Sequence, residues 1–108
     1  GALTGKYLNG VPAGSRASLE GYEWLKKGMI DSDRGQERMK RVASYIKIAE
    51  EHNLSPSKLA IAWCLLNKHV STVILGASNV RQLEDNLKSP DYIQKLENKE
   101  LVISLSEL

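Results

Sequence analysis

Residues Ser71-Thr-Val-Ile-Leu-Gly-Ala-Ser-Asn79, continued by Val80-Arg-Gln-Leu-Glu-Asp-Asn86, constrain this chain more than any other stretch. Val73, Ile74 and Leu75 are apolar and their run is too short for a helix, so they predict a buried strand at 72–75. Gly76-Ala77 lets the backbone turn. Ser78 or Asn79 can then cap a helix, and Asn79 with Gln82 has the spacing of a capping box. Strand, small-residue turn and capped helix together aim free backbone N–H groups at an anion. The competing reading is an ordinary connection that binds nothing. A buried strand also needs a neighbour, and no second segment reads as one. The strand therefore pairs with strands outside this chain, or something else covers its edges.

The remaining segments read as loops and helices. Residues 1–16 are loop-like, with Gly1, Gly5, Gly10, Pro12 and Gly14. They carry Lys6 and Arg16 with Thr4 and Ser15 nearby, a set that suits a phosphate clamp or a ligand cover as well as a solvated surface loop. Ala17 to Ile30 predicts a helix weakened by Gly21 and Gly28, with Tyr22 and Trp24 as packing residues. Asp31-Ser-Asp33 is an N-cap cluster. Arg34 to His52 is the clearest helix, with Met39, Val42, Ile46 and Ala49 on one face and Tyr45 beside them. Asn53 ends it, Ser55 caps the next helix, and Pro56 takes its first position. Ser57 to Asn67 is apolar almost all round, from Leu59 through Leu66, and must be covered on most sides. That requires more protein than 108 residues easily provide, or a partner. Residues 79–88 form the helix after the turn, Ser89-Pro90 breaks the pattern, and Leu101, Val102 and Leu105 suggest a final helix.

The totals narrow the function classes. Fifteen basic and 13 acidic residues leave a net charge of +2, too even to argue for nucleic acid or an anionic membrane. No apolar run approaches membrane-spanning length. The one cysteine, Cys64, permits no internal disulfide, which suits a reducing compartment. The chain opens Gly1-Ala-Leu-Thr-Gly-Lys-Tyr7 and not with Met, which reads as mid-protein sequence. His52, His69 and Cys64 have no zinc spacing, no nucleophile–base motif is present, and neither a G-x-G-x-x-G nor a Walker loop occurs. The expected metal set and the expected catalytic set in this chain are therefore both empty. Ile48 to Trp63 resembles the helix-turn-helix of bacterial repressors. Only Ser57 and Lys58 lead its second helix, and eight apolar residues follow, a poor surface for reading base edges.

Several of these pieces carry a family resemblance. Gly1-Ala-Leu-Thr-Gly-Lys-Tyr, Gly10-Val-Pro and Ser15-Arg-Ala-Ser-Leu-Glu-Gly-Tyr-Glu-Trp-Leu-Lys26 resemble the C-terminal third of aldo-keto reductases of the voltage-gated potassium channel β-subunit (Shaker-type) branch. Leu59-Ala-Ile-Ala-Trp-Cys-Leu65, Val70 to Asn79 and Gln82-Leu-Glu-Asp-Asn86 continue it in the same order. The match covers about residues 1–88, and the tail more loosely. The Gly-Lys-Tyr and Gly-Ala-Ser-x-x-Gln-Leu-x-x-Asn pieces belong to the family at large. The run from Ser15 to Lys26 points to the channel branch.

The resemblance implies an α/β fold, the C-terminal portion of a (β/α)8 TIM barrel, mostly helical with the last barrel strand near 72–75. It implies one partial reductase domain over residues 1–108, with a cofactor-covering loop at 1–16 and a C-terminal extension at 89–108. The implied cofactor is NADP and the reaction is hydride transfer to a carbonyl. By the same resemblance Gly1, Thr4 and Lys6 lie along the pyrophosphate, and Ser15 and Arg16 close over the adenosine, with Arg16 near the 2′-phosphate. Gly76 and Ser78 receive that phosphate, and Gln82, Asp85 and Asn86 hold the ribose and adenine. Asp85 departs from the pattern, since the family usually has Glu there, one methylene longer. The family's catalytic Asp-Tyr-Lys-His set comes from earlier barrel strands, and none of it maps onto this chain. The implied setting is cytoplasmic, peripheral to the membrane through a channel α-subunit, in a homo-oligomer that is a tetramer in the channel branch, with neither nucleic acid nor direct membrane insertion. The alternatives that the residues leave open are a non-catalytic interaction or regulatory protein, and the helix-turn-helix DNA binder.

Overall fold

The computed structural model describes residues 1–108. Its regular structure is helical: α1 (Glu23–Lys26), α2 (Asp33–Glu51), α3 (Pro56–Leu65), α4 (Val80–Leu87) and α5 (Lys99–Ser106), with 3-10 turns at Ala2–Thr4, Arg16–Ser18, Ser89–Tyr92 and Gln94–Glu97. No helix is long and apolar enough to cross a membrane. The chain divides into two compact units, Gly1–Lys47 and Ile48–Leu108, and α2 contributes residues to both.

In the first unit the helix expected over Ala17–Ile30 is broken. Extended Leu19 ends the 3-10 turn, and Gly21, with φ +82 in the left-handed region, delays α1 until Glu23. The Glu23 carboxylate turns back to accept the Gly21 N–H at 3.0 Å. Its own N–H and that of Gly21 hold its carboxyl below the ordinary carboxylate range. α1 then runs into a π turn at Lys27–Asp31. Tyr22 and Trp24, expected to pack inside, both lie at the surface, with ring centroids 6.4 Å apart. Ser32 caps α2, its Oγ accepting from the Gly35 N–H at 3.0 Å. A Cβ on Gly35 would lie 2.6 Å from Met29 C and 2.7 Å from Met29 O, so the π turn approaches α2 too closely for any side chain there. Val42 and Tyr45 are buried beside half-buried Met39 and Ile46, close to the apolar face read from the spacing. Tyr7 and Ala17 are the other buried apolar residues of this unit. The 1–16 loop touches α2 at Gly5, where a Cβ would meet Ile46 Cδ1 at 3.2 Å.

In the second unit α2 ends in a Schellman motif. Asn53 takes φ 54, its N–H donates to Glu50 O at 3.0 Å, and the Leu54 N–H donates to Ala49 O at 2.8 Å. Pro56 opens α3 as expected, but the Ser55 side chain caps no amide; its Oγ meets Ser57 Oγ at 3.3 Å. The Ser55 N–H donates to the Tyr92 hydroxyl at 3.0 Å, which ties the start of α3 to the turn at 89–92. Leu59 and Ala62 are buried on α3, and Ala49, Leu54, Leu96 and Leu101 are the other buried apolar residues. Each large side chain buried here contributes on the order of 1.5–3 kcal/mol relative to exposure. Trp63, Cys64 and Leu66 are exposed, so α3 presents more apolar surface than this unit covers. Asn98 caps α5, its Oδ1 accepting from the Leu101 N–H at 3.2 Å.

The strand expected at 72–75 is not formed. The backbone groups of residues 71–75 have no hydrogen-bond partner in the chain. Val73 and Leu75 are half-buried while Ile74 is 94% exposed. That alternation is the side-chain pattern of a strand, but a ladder needs a second extended segment, and this chain supplies none. The regular structure of this chain is accordingly helical, and the α/β expectation has no strand in it to support it.

Candidate functional site

The residues singled out in the sequence fall into two clusters, one in each unit. In the first, the loop brings positive charge together around Gly1. The charges of Lys6 and Arg16 both lie close enough to act at Gly1. Thr4 spends its hydroxyl proton locally, donating to Gly1 O at 2.7 Å. Lys6 Nζ lies 5.1 Å from the centroid of the Tyr7 ring, and Arg16 is exposed. Ser15 is 8% exposed, and its Oγ is buried without a hydrogen-bond partner. The Ser15 carbonyl is fully used, accepting from Ser18 Oγ at 2.7 Å and from the Ser18 N–H at 2.9 Å. An orphaned hydroxyl in an otherwise satisfied turn, next to Arg16, is an unusual feature of a folded chain. A polyanionic ligand fits such a set, because it supplies acceptors to the hydroxyl and charge to the cations.

The second cluster is the turn into α4. Asn79 caps the helix, its Oδ1 accepting from the Gln82 N–H at 2.9 Å. The reciprocal bond goes one residue further out than the capping box has it. Gln82 Oε1 accepts from the Ser78 N–H at 2.9 Å and from Ser78 Oγ at 3.0 Å. Asn86 Nδ2 reaches Gly76 O at 3.5 Å, a long contact. Two side chains of α4 thus reach back to the turn, Gln82 to Ser78 and Asn86 to Gly76. The Ser78 and Gln82 amides are taken by side chains. The Val80 and Arg81 amides have no acceptor in the chain, so the donors left to an anion are fewer than the turn alone suggests.

Asp85 is in a different position from its neighbours. Its Oδ1 accepts from Lys58 Nζ at 3.0 Å, and that ammonium lies 5.4 Å from the centroid of the Tyr92 ring. The Asp85 hydrogen bond raises the proton affinity of Lys58, with smaller contributions from the charges of Tyr92, Asp85 and Asp91. Sequence reasoning missed this pair. The partners are 27 residues apart, on different helices, and no local spacing signals it. The same contact bears on the helix-turn-helix reading. Lys58 is engaged by a carboxylate, and the exposed positions farther along α3 are Trp63 and Cys64. That face has no polar fringe with which to read base edges.

The comparison with known protein families matches the family described as Aldo/keto reductase family over residues 1–101.

Proposed function

From the premise that this chain belongs to the aldo/keto reductase family, as the match over residues 1–101 shows, we propose that it is the C-terminal part of an NADP-dependent reductase of carbonyl compounds. In that reading the chain supplies the adenosine-phosphate side of the cofactor site, and the catalytic residues come from strands that precede it. When bound, the nicotinamide cofactor supplies a hydride. This chain's residues bind and orient the other end of the molecule. Lys6, Ser15 and Arg16, with Gly1 and Thr4, would take the pyrophosphate and close over the adenosine. Gly76, Ser78, Gln82 and Asn86 would take the phosphate-bearing ribose and the base. A guanidinium suits a phosphate dianion because its fork makes two charge-assisted hydrogen bonds.

The observation that carries the proposal is the buried, unpartnered Ser15 hydroxyl beside Arg16. The unpaired apolar segment at 71–75 supports the wider barrel, because paired strands on both sides would satisfy its backbone and cover Ile74. The channel β-subunit branch, with its α-subunit partner, tetrameric assembly and cytoplasmic setting, is proposed on the run from Ser15 to Lys26. The test is equilibrium binding of NADP and NAD to the intact protein. Arg16→Ala is expected to weaken NADP at least tenfold and NAD far less, the loss of a charge-assisted pair being about 1.5–3 kcal/mol. Unchanged NADP affinity in that variant overturns the assignment.

A further inference from the structure

Lys58 is held on two sides at the start of α3: by the Asp85 carboxylate at 3.0 Å and by the face of the Tyr92 ring. Tyr92 is itself fixed, since its hydroxyl accepts the Ser55 N–H. The Lys58 side chain is only 16% exposed and that of Asp85 45%. The pair is therefore a bridge from α3 to α4 that is partly shielded on its Lys58 side.

Asp85 lies one helical turn beyond Gln82 on α4. The two line one surface depression together with Asn79, Arg81, Glu84 and Lys88. An unpaired carboxylate there would repel an anion seated at the start of α4, because like charges within about 10 Å still interact appreciably near a protein surface. It would also be free to reach into the depression. The bond to Lys58 offsets that charge and turns Oδ1 toward α3.

We propose that Lys58 is a positioning residue for the nucleotide site: by holding Asp85 it withdraws that carboxylate from the ligand and cancels its charge beside the phosphate-receiving turn. The inference rests on the nucleotide-binding reading above. It assigns Asp85 to the internal bridge and not to a base contact, which separates it from Gln82 and Asn86. It also makes the preference for a phosphorylated nucleotide depend on a residue that touches no ligand.

The experiment measures affinity for NADP and for NAD in the intact protein by titration calorimetry at low ionic strength, with no turnover involved. Lys58→Met is expected to lower the NADP-over-NAD preference about fivefold, the order expected of one unmasked charge acting on a dianion within about a Debye length. Lys58→Arg keeps the charge and should keep the preference. Lys58→Met combined with Asp85→Asn should return the preference to within about twofold of wild type, because the unmasked charge is gone. The effect should shrink as salt is raised. An unchanged preference in Lys58→Met overturns the proposal. So does a preference that the double variant fails to restore, since the loss would then reflect damage to α3 and not the charge of Asp85. Failure of the underlying reading looks different: wild-type protein would bind neither nucleotide, or Arg16→Ala would leave NADP affinity unchanged.

Discussion

Gln82 Oε1 accepts from both the amide and the hydroxyl of Ser78, at 2.9 and 3.0 Å. One side chain thus fixes the residue that would meet a phosphate, while the amide of Gln82 is fixed in turn by Asn79. Asn79→Ala removes the cap and is expected to destabilise α4 by about 1 kcal/mol, whereas Asn79→Asp should retain most of that contribution. Hydrogen exchange at the Gln82 amide checks it. Exchange should speed up roughly fivefold in Asn79→Ala and change little in Asn79→Asp.

Ser15 separates a binding role from a folding role. A buried hydroxyl without a partner costs stability, so Ser15→Ala should leave the chain equally stable or more stable, by up to about 1–3 kcal/mol. The same substitution should weaken NADP binding by the intact protein. Denaturant midpoints together with nucleotide titration test both. A fall in stability would show that the hydroxyl has a structural partner after all.

Gly35→Ala should destabilise the first unit. The added methyl meets the carbonyl carbon and oxygen of Met29, which are backbone atoms and cannot swing aside. Forced overpacking of this kind costs about 1–3 kcal/mol, read as a lower midpoint in urea. A midpoint equal to wild type would mean that the π turn at Lys27–Asp31 relaxes freely.

Asn53 tests the Schellman motif. Its φ of 54 is tolerated by Asn and by Gly, so Asn53→Gly should be nearly neutral or stabilising. Asn53→Val should cost about 1–2 kcal/mol because a β-branched residue is strained there. Thermal melting of the two variants should rank them in that order.

The Lys58 bridge carries an alkaline signature. Its proton affinity in the folded chain is raised above the ordinary lysine value, chiefly by Asp85. The stabilisation is therefore fully present below the ordinary lysine pKa and is lost as pH rises above it and through the raised one. Denaturant midpoints across that range should fall in wild type more than in Lys58→Met. Parallel curves would remove the linkage.

Much of the helical part was legible because its signals are local. Asn79 three residues before Gln82, Pro56 after Ser55, Ser32 before α2 and Asn53 after it each act within a turn of backbone. The break at Gly21 was visible only as a weakness, since nothing in the sequence says that a glycine will take positive φ. Tyr22 and Trp24 were misplaced because apolar character marks a residue as fit for burial without showing that a surface exists to bury it.

By itself the sequence determined where α2, α3 and α4 start and stop, which residues cluster at the turn into α4, and which family the chain resembles. Each depends on neighbours within a few residues or on a motif carried intact. The tertiary structure alone decided that Asp85 belongs to Lys58, that the Ser15 hydroxyl is left without a partner, and that Val73, Ile74 and Leu75 form no ladder. Those outcomes depend on what lies opposite a side chain or a backbone amide in space. An ion pair across 27 residues, an empty acceptor position or a missing strand leaves no periodicity in the chain to read.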